Sequence, residues 1–406
     1  MKRKLCILAL LLLIPAFTFS AWVKQVSGTT KNLRSVWAFY GPVSPWTAVA
    51  VGDSGTILIS TDLGQTWTPG TSPTTQTLFG VAQDLSGDIP KHWGSAVGGD
   101  TAGVILRTTD DGVSWSTRAA PPTVMHAVSF ADSMNGMAVG ESNAIWGTTD
   151  GGFTWTQKSS PFPGNWNGIF VDYYNTHIAW VCGEDGKIIE TTNAGATWSA
   201  QTSGTTATLR ALSFLYAGPW CGVAVGDSGR ILRTTNNGLN WMPVSSGVTD
   251  DLFDTYYGWG VFRFTVGANG RILRGSWDGS TWVPESSGTT RTLHGVNYLV
   301  DVSGFHIWAV GDSGTILYKF ILSGVENSSS ALPELYPSCP TASPNPFISH
   351  TTIPGHPSDR FTLYDISGRK VGIYKGDRIG DGLPHGVYFL RPDDISGKPL
   401  RIVKVR

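Results

Sequence analysis

Charge is scarce in this chain. Asp, Glu, Lys and Arg make up 15 % of its 406 residues, well under the roughly 25 % of an average soluble domain. The two signs nearly cancel, leaving a net charge of −1. No basic footprint for nucleic acid follows from that balance, and no cationic anchor for a membrane surface. Cysteine is rarer still, at four residues. Cys6 falls in a leader-like segment, and Cys182, Cys221 and Cys339 make an odd set at unrelated spacings. That is neither a disulfide framework nor a zinc site, although a single Cys182–Cys221 bridge stays open. Long apolar runs are missing as well. The longest, Leu5 to Phe17, is roughly 13 residues against the roughly 20 a helix needs to cross a bilayer.

That run has the layout of an export signal. Met1-Lys2-Arg3-Lys4 is basic, the apolar stretch follows, and Thr18-Phe19-Ser20 offers small residues at a cleavage position. Residues 1–20 are therefore expected to be a signal peptide, with an uncleaved anchor as the alternative. No cysteine follows the run, so a lipid anchor is not indicated. The mature protein is expected in the periplasm on its way to the cell surface or medium, with no transmembrane segment after cleavage.

Glycine and tryptophan are abundant. Fifty glycines are about 12 % of the chain against a usual level of roughly 7 %, and 17 tryptophans stand against five methionines. Many turns and aromatics with few long charged side chains indicate an all-β chain. Self-similarity organises it. A hydrophobic strand leads into a turn, seen as Val51-Gly52-Asp53-Ser54-Gly55, Val139-Gly140-Glu141, Cys182-Gly183-Glu184, Val225-Gly226-Asp227, Val266-Gly267-Ala268 and Val310-Gly311-Asp312, with a looser copy at Val97. Each of the first six units closes on a tryptophan: Trp67, Trp115, Trp155, Trp198, Trp241 and Trp282. The seventh, 293–320, lacks its last strand, but Ala21-Trp22-Val23-Lys24-Gln25 matches Thr197-Trp198-Ser199-Ala200-Gln201. About four short β-runs per roughly 43 residues is the content of a propeller blade. The expected fold is a seven-bladed β-propeller over 21–320, closed by the N-terminal strand. An open β-solenoid is the competitor, and it does not account for the split unit.

The segments ending in tryptophan read Ser/Thr-x-Asp/Asn-x-Gly-x-x-Trp, with Asp62, Asp110, Asp150, Asn193 and Asn236 at the third position. The sixth copy has its acid displaced, to Asp278. They resemble the Asp-box of bacterial-neuraminidase-type repeats. An oxygen at that position accepts backbone N–H groups inside the turn, and Asn does so as well as Asp. Free exchange of the two argues for a structural role and against catalysis or metal binding. The tryptophans are expected to wedge between blades. The turn acids Asp53, Glu141, Glu184, Asp227 and Asp312 offer a rim, but Ala268 and Gly99 stand in for them, so they are read as turn residues.

The strand opening each blade should face the central channel. Its third column is Ser35, Gly80, Ala127, Gly168, Ala211, Asp254 and Gly295, small residues where seven strands crowd an axis, with Asp254 the one acid. Its second column is Arg34, Phe79, His126, Asn167, Arg210, Phe253 and His294. Scaffolding needs no such mixture, and this ring is the candidate ligand surface; the bland alternative is a solvated strand end. Arg107, Arg233 and Arg274 with Arg230 and Arg271 offer a second, cationic patch, unless strand alternation sends half of them to solvated edges.

After 320 the repeat stops. Residues 321–342 read as a linker rich in Ser, Pro and Ala, and 343–406 as a small immunoglobulin-like β-sandwich. Ser343-Pro344-Asn345-Pro346-Phe347, Leu363-Tyr364-Asp365-Ile366-Ser367-Gly368-Arg369 and Gly386-Val387-Tyr388-Phe389 resemble the type A sorting domain of type IX secretion substrates. That resemblance implies the secretion machinery as a partner; a plain immunoglobulin-like module is the alternative.

Across 22–320 the blades resemble the propeller family of photosystem II assembly and stability factors, on Val-Gly-Asp-x-Gly-x-Ile-Leu running into Thr-Thr-x-x-Gly-x-x-Trp. The resemblance implies a non-catalytic scaffold that binds a protein, with a surface glycan as the other partner class, no catalytic residues and no cofactor. The alternative is a sialidase-like glycoside hydrolase, which needs paired carboxylates or an arginine cluster with a Tyr–Glu pair. Asp254 has no partner acid in its column.

Overall fold

The computed structural model describes residues 21–38, 47–83, 93–119, 121–173, 175–214, 221–257, 263–276, 278–300 and 304–322 of an N-terminal unit. Of a C-terminal unit it describes 350, 352, 360–365, 369–375, 377–380, 382–384, 386–392 and 400–404. The signal peptide, nearly all of the linker, Cys339 and the Ser343–Phe347 segment lie outside the described residues.

Seven four-stranded antiparallel sheets form the N-terminal unit, and the fold is the expected seven-bladed propeller. Blade 1 runs Leu33–Ala38, Ala48–Gly52, Ile57–Ser60, Thr68–Pro69 from the inside outward. The innermost strands of blades 2 to 6 are Leu78–Gln83, Met125–Phe130, Trp166–Val171, Leu209–Phe214 and Leu252–Tyr256. Blade 7 takes Leu293–Val300, Gly304–Gly311 and Thr315–Leu322 from one end of the repeat region. Its outermost strand, Val23–Gln25, comes from the other end. Val23 pairs with Tyr318 and Gln25 with Ile316, so the two ends of the ring are joined by β-pairing.

Alternation within each strand divides the side chains. Leu33, Val36 and Ala38 are buried toward a neighbouring blade, whereas Arg34 and Trp37 are half-buried and line the axis. The core is correspondingly a set of seams between sheets. Trp67 packs among Leu33, Ala50 and Leu58 of blade 1 and Trp308 and Ile316 of blade 7. Trp115, Trp155, Trp198 and Trp241 occupy the next four seams in the same way. Trp22 fills the seam between blades 6 and 7, against Phe264, Ile272, Leu293 and Val296. All seven seam tryptophans, Trp282 included, are 6–8 % exposed, which makes Trp22 the seventh copy.

The turn that holds each tryptophan is stitched by its box residue. Asp62 accepts from the Thr66 backbone N–H at 2.9 Å and from its hydroxyl at 2.6 Å. Asp110 and Asp150 repeat both bonds with Ser114 and Thr154. Asn193 accepts from the Thr197 N–H at 2.8 Å while its own amide donates to the hydroxyl, and Asn236 accepts from the Asn240 N–H. The displaced Asp278 accepts from Ser276 and Ser280. Burial opposes ionisation of Asp62 and Asp150, but the bonds from the turn outweigh it and hold both carboxyls below their ordinary range.

The C-terminal unit shows one four-stranded sheet, ordered Lys370–Lys375, Arg360–Asp365, Gly386–Pro392, Leu400–Lys404. Phe361, Leu363, Ile379 and Tyr388 are buried on it. A second sheet of the expected sandwich is not among the described residues. No helix among them is long and apolar enough to cross a membrane.

Candidate functional site at the channel mouth

The register of every innermost strand slips at one residue. Leu33 pairs with Gly52 and Ser35 with Val51, so Arg34 has no partner. The same slip leaves out Phe79, His126, Asn167, Arg210, Phe253 and His294. A β-bulge re-aims its extra residue, and here it does so seven times around one axis. All seven side chains line a single cavity of about 390 Å³, within the roughly 300–1,000 Å³ range of ligand pockets.

The bulge depends on the glycine of the Val-Gly-Asp turn. Gly52 is extended, at φ −172°, so its backbone angle permits any residue. What forbids a side chain is proximity: a Cβ on Gly52 would lie 2.0 Å from the Asn32 carbonyl oxygen. That approach lets the next N–H, of Asp53, donate to the same carbonyl at 2.9 Å. The turn is thereby clamped to the bulge, and its acid stands beside the bulged side chain.

The acids read from sequence as turn residues do sit in the turns, and several of them also pair with the ring side chains. Asp53 holds the Arg34 guanidinium on two oxygens, at 2.7 and 3.1 Å. Asp227 takes Arg210 Nε at 2.7 Å. Asp312 lies 2.8 Å from His294 Nε2, which is also 3.3 Å from Arg34. Glu141 lies 3.7 Å from His126, and Glu184 accepts from Asn165, next to the ring. Burial is the largest influence on His294 and holds it below the usual imidazole range, with the Asp312 contact opposing it. A signal for these pairs is present in the sequence. The turn is acidic wherever the bulge is Arg, His or Asn, and carries Gly99 or Ala268 where the bulge is Phe79 or Phe253.

Ring members also reach across the seams. Phe79 meets His126 edge to face at 5.8 Å, and Phe253 lies 5.4 Å from His294. Arg210 sits 5.4 Å from the Phe253 ring, and Asn167 donates to the Leu209 carbonyl. Below the mouth, a Cβ on Gly80 would lie 3.0 Å from the His126 carbonyl oxygen and one on Gly168 2.9 Å from Ala211 Cα, so the small column lets neighbouring strands approach closely, and Trp37, Phe170 and Tyr256 line the deeper part. Trp37 and Tyr256 meet edge to face at 6.3 Å.

Asp254 interrupts the small column. Its Oδ2 accepts from the Val296 N–H of the next blade and its Oδ1 from Thr255 N–H, both at 2.8 Å. Ser35 meets Val81 N–H at the equivalent place with a neutral hydroxyl. Burial pushes the Asp254 carboxyl up to about 7, against the two amide bonds.

Of the five arginines of the second, cationic patch, four are committed within the fold. Arg274 donates to Glu285 at 2.8 Å, Arg271 pairs with Asp250 at 2.6 Å, and Arg233 bonds Asp278. Arg107 is 1 % exposed, donates to Gly151 and lies 3.7 Å from the Phe153 ring. Cys182 and Cys221 are both buried and are not joined in a disulfide. Among the described residues, no group of three or more His, Cys, Asp or Glu side chains is placed to hold a metal ion.

A family profile described as Photosynthesis system II assembly factor YCF48 matches residues 122–250, the span of blades 3 to 5. Two solved structures are similar to the chain. One, described as YCF48 bound to D1 peptide, is 18 % identical with a TM-score of 0.58, covering 77 % of this chain and 99 % of that one. The other, YCF48 from Cyanidioschyzon merolae, is 19 % identical with a TM-score of 0.56, covering 74 % and 99 %. No curated protein matches. At these identities the likeness establishes the fold alone: this chain has the propeller fold of those two structures.

Proposed function

We propose that this protein is an exported, non-catalytic propeller that binds a segment of a partner protein at the mouth of its central channel. One observation carries the reading. Seven bulges bring two arginines, two histidines, two phenylalanines and an asparagine to one cavity, although a scaffold alone needs no such mixture there. A solved propeller of the same fold is described as holding a peptide, which supports a peptide as the occupant class. The leader directs the chain out of the cytoplasm, and the C-terminal unit serves as the address for a type IX-like route to the cell surface.

The test is to incubate the mature chain with arrays of surface-protein peptides and of glycans, scoring binding and hydrolysis together. Peptide binding that Arg34→Ala/Arg210→Ala abolishes is the expected result. Binding untouched by that double substitution dismisses the channel mouth. Glycan turnover lost in Asp254→Asn replaces the scaffold reading with the hydrolase one.

A further inference from the structure

We infer that the axial cavity receives a cationic group, the guanidinium or ammonium of an arginine or lysine side chain carried by the bound segment. The inference rests on the channel-mouth reading above and adds the chemistry of the occupant.

The two arginines of the ring do not present free positive charge. Arg34 is held on both oxygens of Asp53, and Arg210 is paired with Asp227 and lies near Phe253. With those pairs neutralised, four carboxylates remain around the ring: Asp312 behind His294, Glu141 near His126, Glu184 beside Asn165 and Asp254 in the cavity wall. His294 is held toward its neutral form and leaves the Asp312 charge uncompensated. An anionic occupant would meet guanidinium groups whose charge Asp53 and Asp227 already offset. A cationic one is met by the Asp312 charge and by the Asp254 carboxyl, which its approach would ionise more fully.

Asp254 is aimed for this role. The Val296 and Thr255 amides fix its two oxygens, and a carboxylate has lone pairs beyond those two bonds. It is the one carboxylate lining the cavity, in a column where Ser35 makes the equivalent amide bond without charge. Deeper in, the rings of Trp37, Phe170 and Tyr256 line the cavity, and aromatic faces attract a desolvated cation.

The experiment titrates the full mature chain with Nα-acetyl-arginine amide, Nα-acetyl-lysine amide and the neutral isostere Nα-acetyl-citrulline amide. Binding is read by calorimetry and tryptophan fluorescence. The arginine and lysine probes should bind at least about tenfold more tightly than citrulline, the equivalent of about 1.4 kcal/mol. Asp254→Asn should erase the difference. Should Asp254→Asn not fold, Asp312→Asn is the second variant and should reduce the preference at least threefold. Citrulline binding as tightly as arginine overturns the inference. So does a preference that survives both substitutions. Peptide-array hits that lack basic residues yet vanish in Arg34→Ala/Arg210→Ala overturn the cationic occupant while leaving the channel mouth as the binding surface.

Discussion

Arg34 and Asp53 sit 19 positions apart in sequence and share two hydrogen bonds at the channel mouth. Arg210 and Asp227, four blades on, stand 17 apart and meet at the same 2.7 Å. The bulge and the turn of each blade form one unit, and the glycine before the acid is what brings them together.

That unit is open to a stability test. At Gly226 an added Cβ would lie 2.0 Å from the Thr208 carbonyl oxygen, whereas at Gly204, with φ +70°, it would meet nothing within 4 Å. Gly226→Ala should cost about 3 kcal/mol, and Gly204→Ala about 1 kcal/mol from its backbone conformation alone. Equal midpoints in urea would show that the close approach does not matter.

Trp22→Ala should be as damaging as removal of any internal seam tryptophan, at about 3–5 kcal/mol. The indole fills the seam between blades 6 and 7 and donates to Glu285 at 2.9 Å. Glu285 also holds Lys319 at 2.6 Å and Arg274. Denaturant unfolding of Trp22→Ala beside Trp198→Ala checks this. A loss under about 1 kcal/mol would mean the ring is closed by backbone pairing alone.

Asp254 gives stability a sign against pH. Its folded carboxyl titrates at about 7 against an ordinary 3.8, chiefly through burial. Between those values the folded state binds the extra proton, so this contribution to stability falls as pH rises through the window. The bonded neighbours of Asp254 are the Val296 and Thr255 amides. Arg263, in the adjoining strand, is turned to the Tyr257 ring instead. His294, held below its ordinary value by burial, acts in the opposite direction. Asp254→Asn should therefore be more stable than wild type at pH 8, by about 2 kcal/mol, and show no gain at pH 4. A parallel pair of stability–pH curves would remove Asp254 as the cause.

Cys182 and Cys221 should resist alkylation in the folded protein. Both are buried, and burial pushes the Cys182 thiol far above its ordinary range, leaving almost no thiolate to react. Iodoacetamide followed by mass spectrometry should label neither until denaturant is added. Labelling of the native state at either position would contradict their placement.

Blade number, the closing strand and the seven members of the ring were legible because each rests on a residue type repeated in register. Trp22 aligned with Trp198, and Arg34 with Arg210, before any coordinates were needed. The bulge was not legible, since Arg34, Phe79, His126 and Asn167 share no chemistry that marks a slipped register. Strict alternation would have placed Arg34 and Val36 on the same face, whereas Arg34 is half-buried at the mouth and Val36 is buried in a seam between blades. The turn acids are legible as turn residues, but their pairing with the ring shows only when two columns are read together: Gly99 and Ala268 sit opposite Phe79 and Phe253, which need no counter-charge. The commitments of Arg233 and Arg274 depend on Asp278 and Glu285, which no repeat pattern connects to them.

The split seventh sheet imposes an order of events on biosynthesis. Residues 23–25 leave the ribosome first yet have no docking edge until 315–322 arrive, so the earliest strand waits on the latest. Any fusion placed at the amino end of the mature chain would sit next to that last joint, where a bulky tag threatens circularisation more than it would at any other blade.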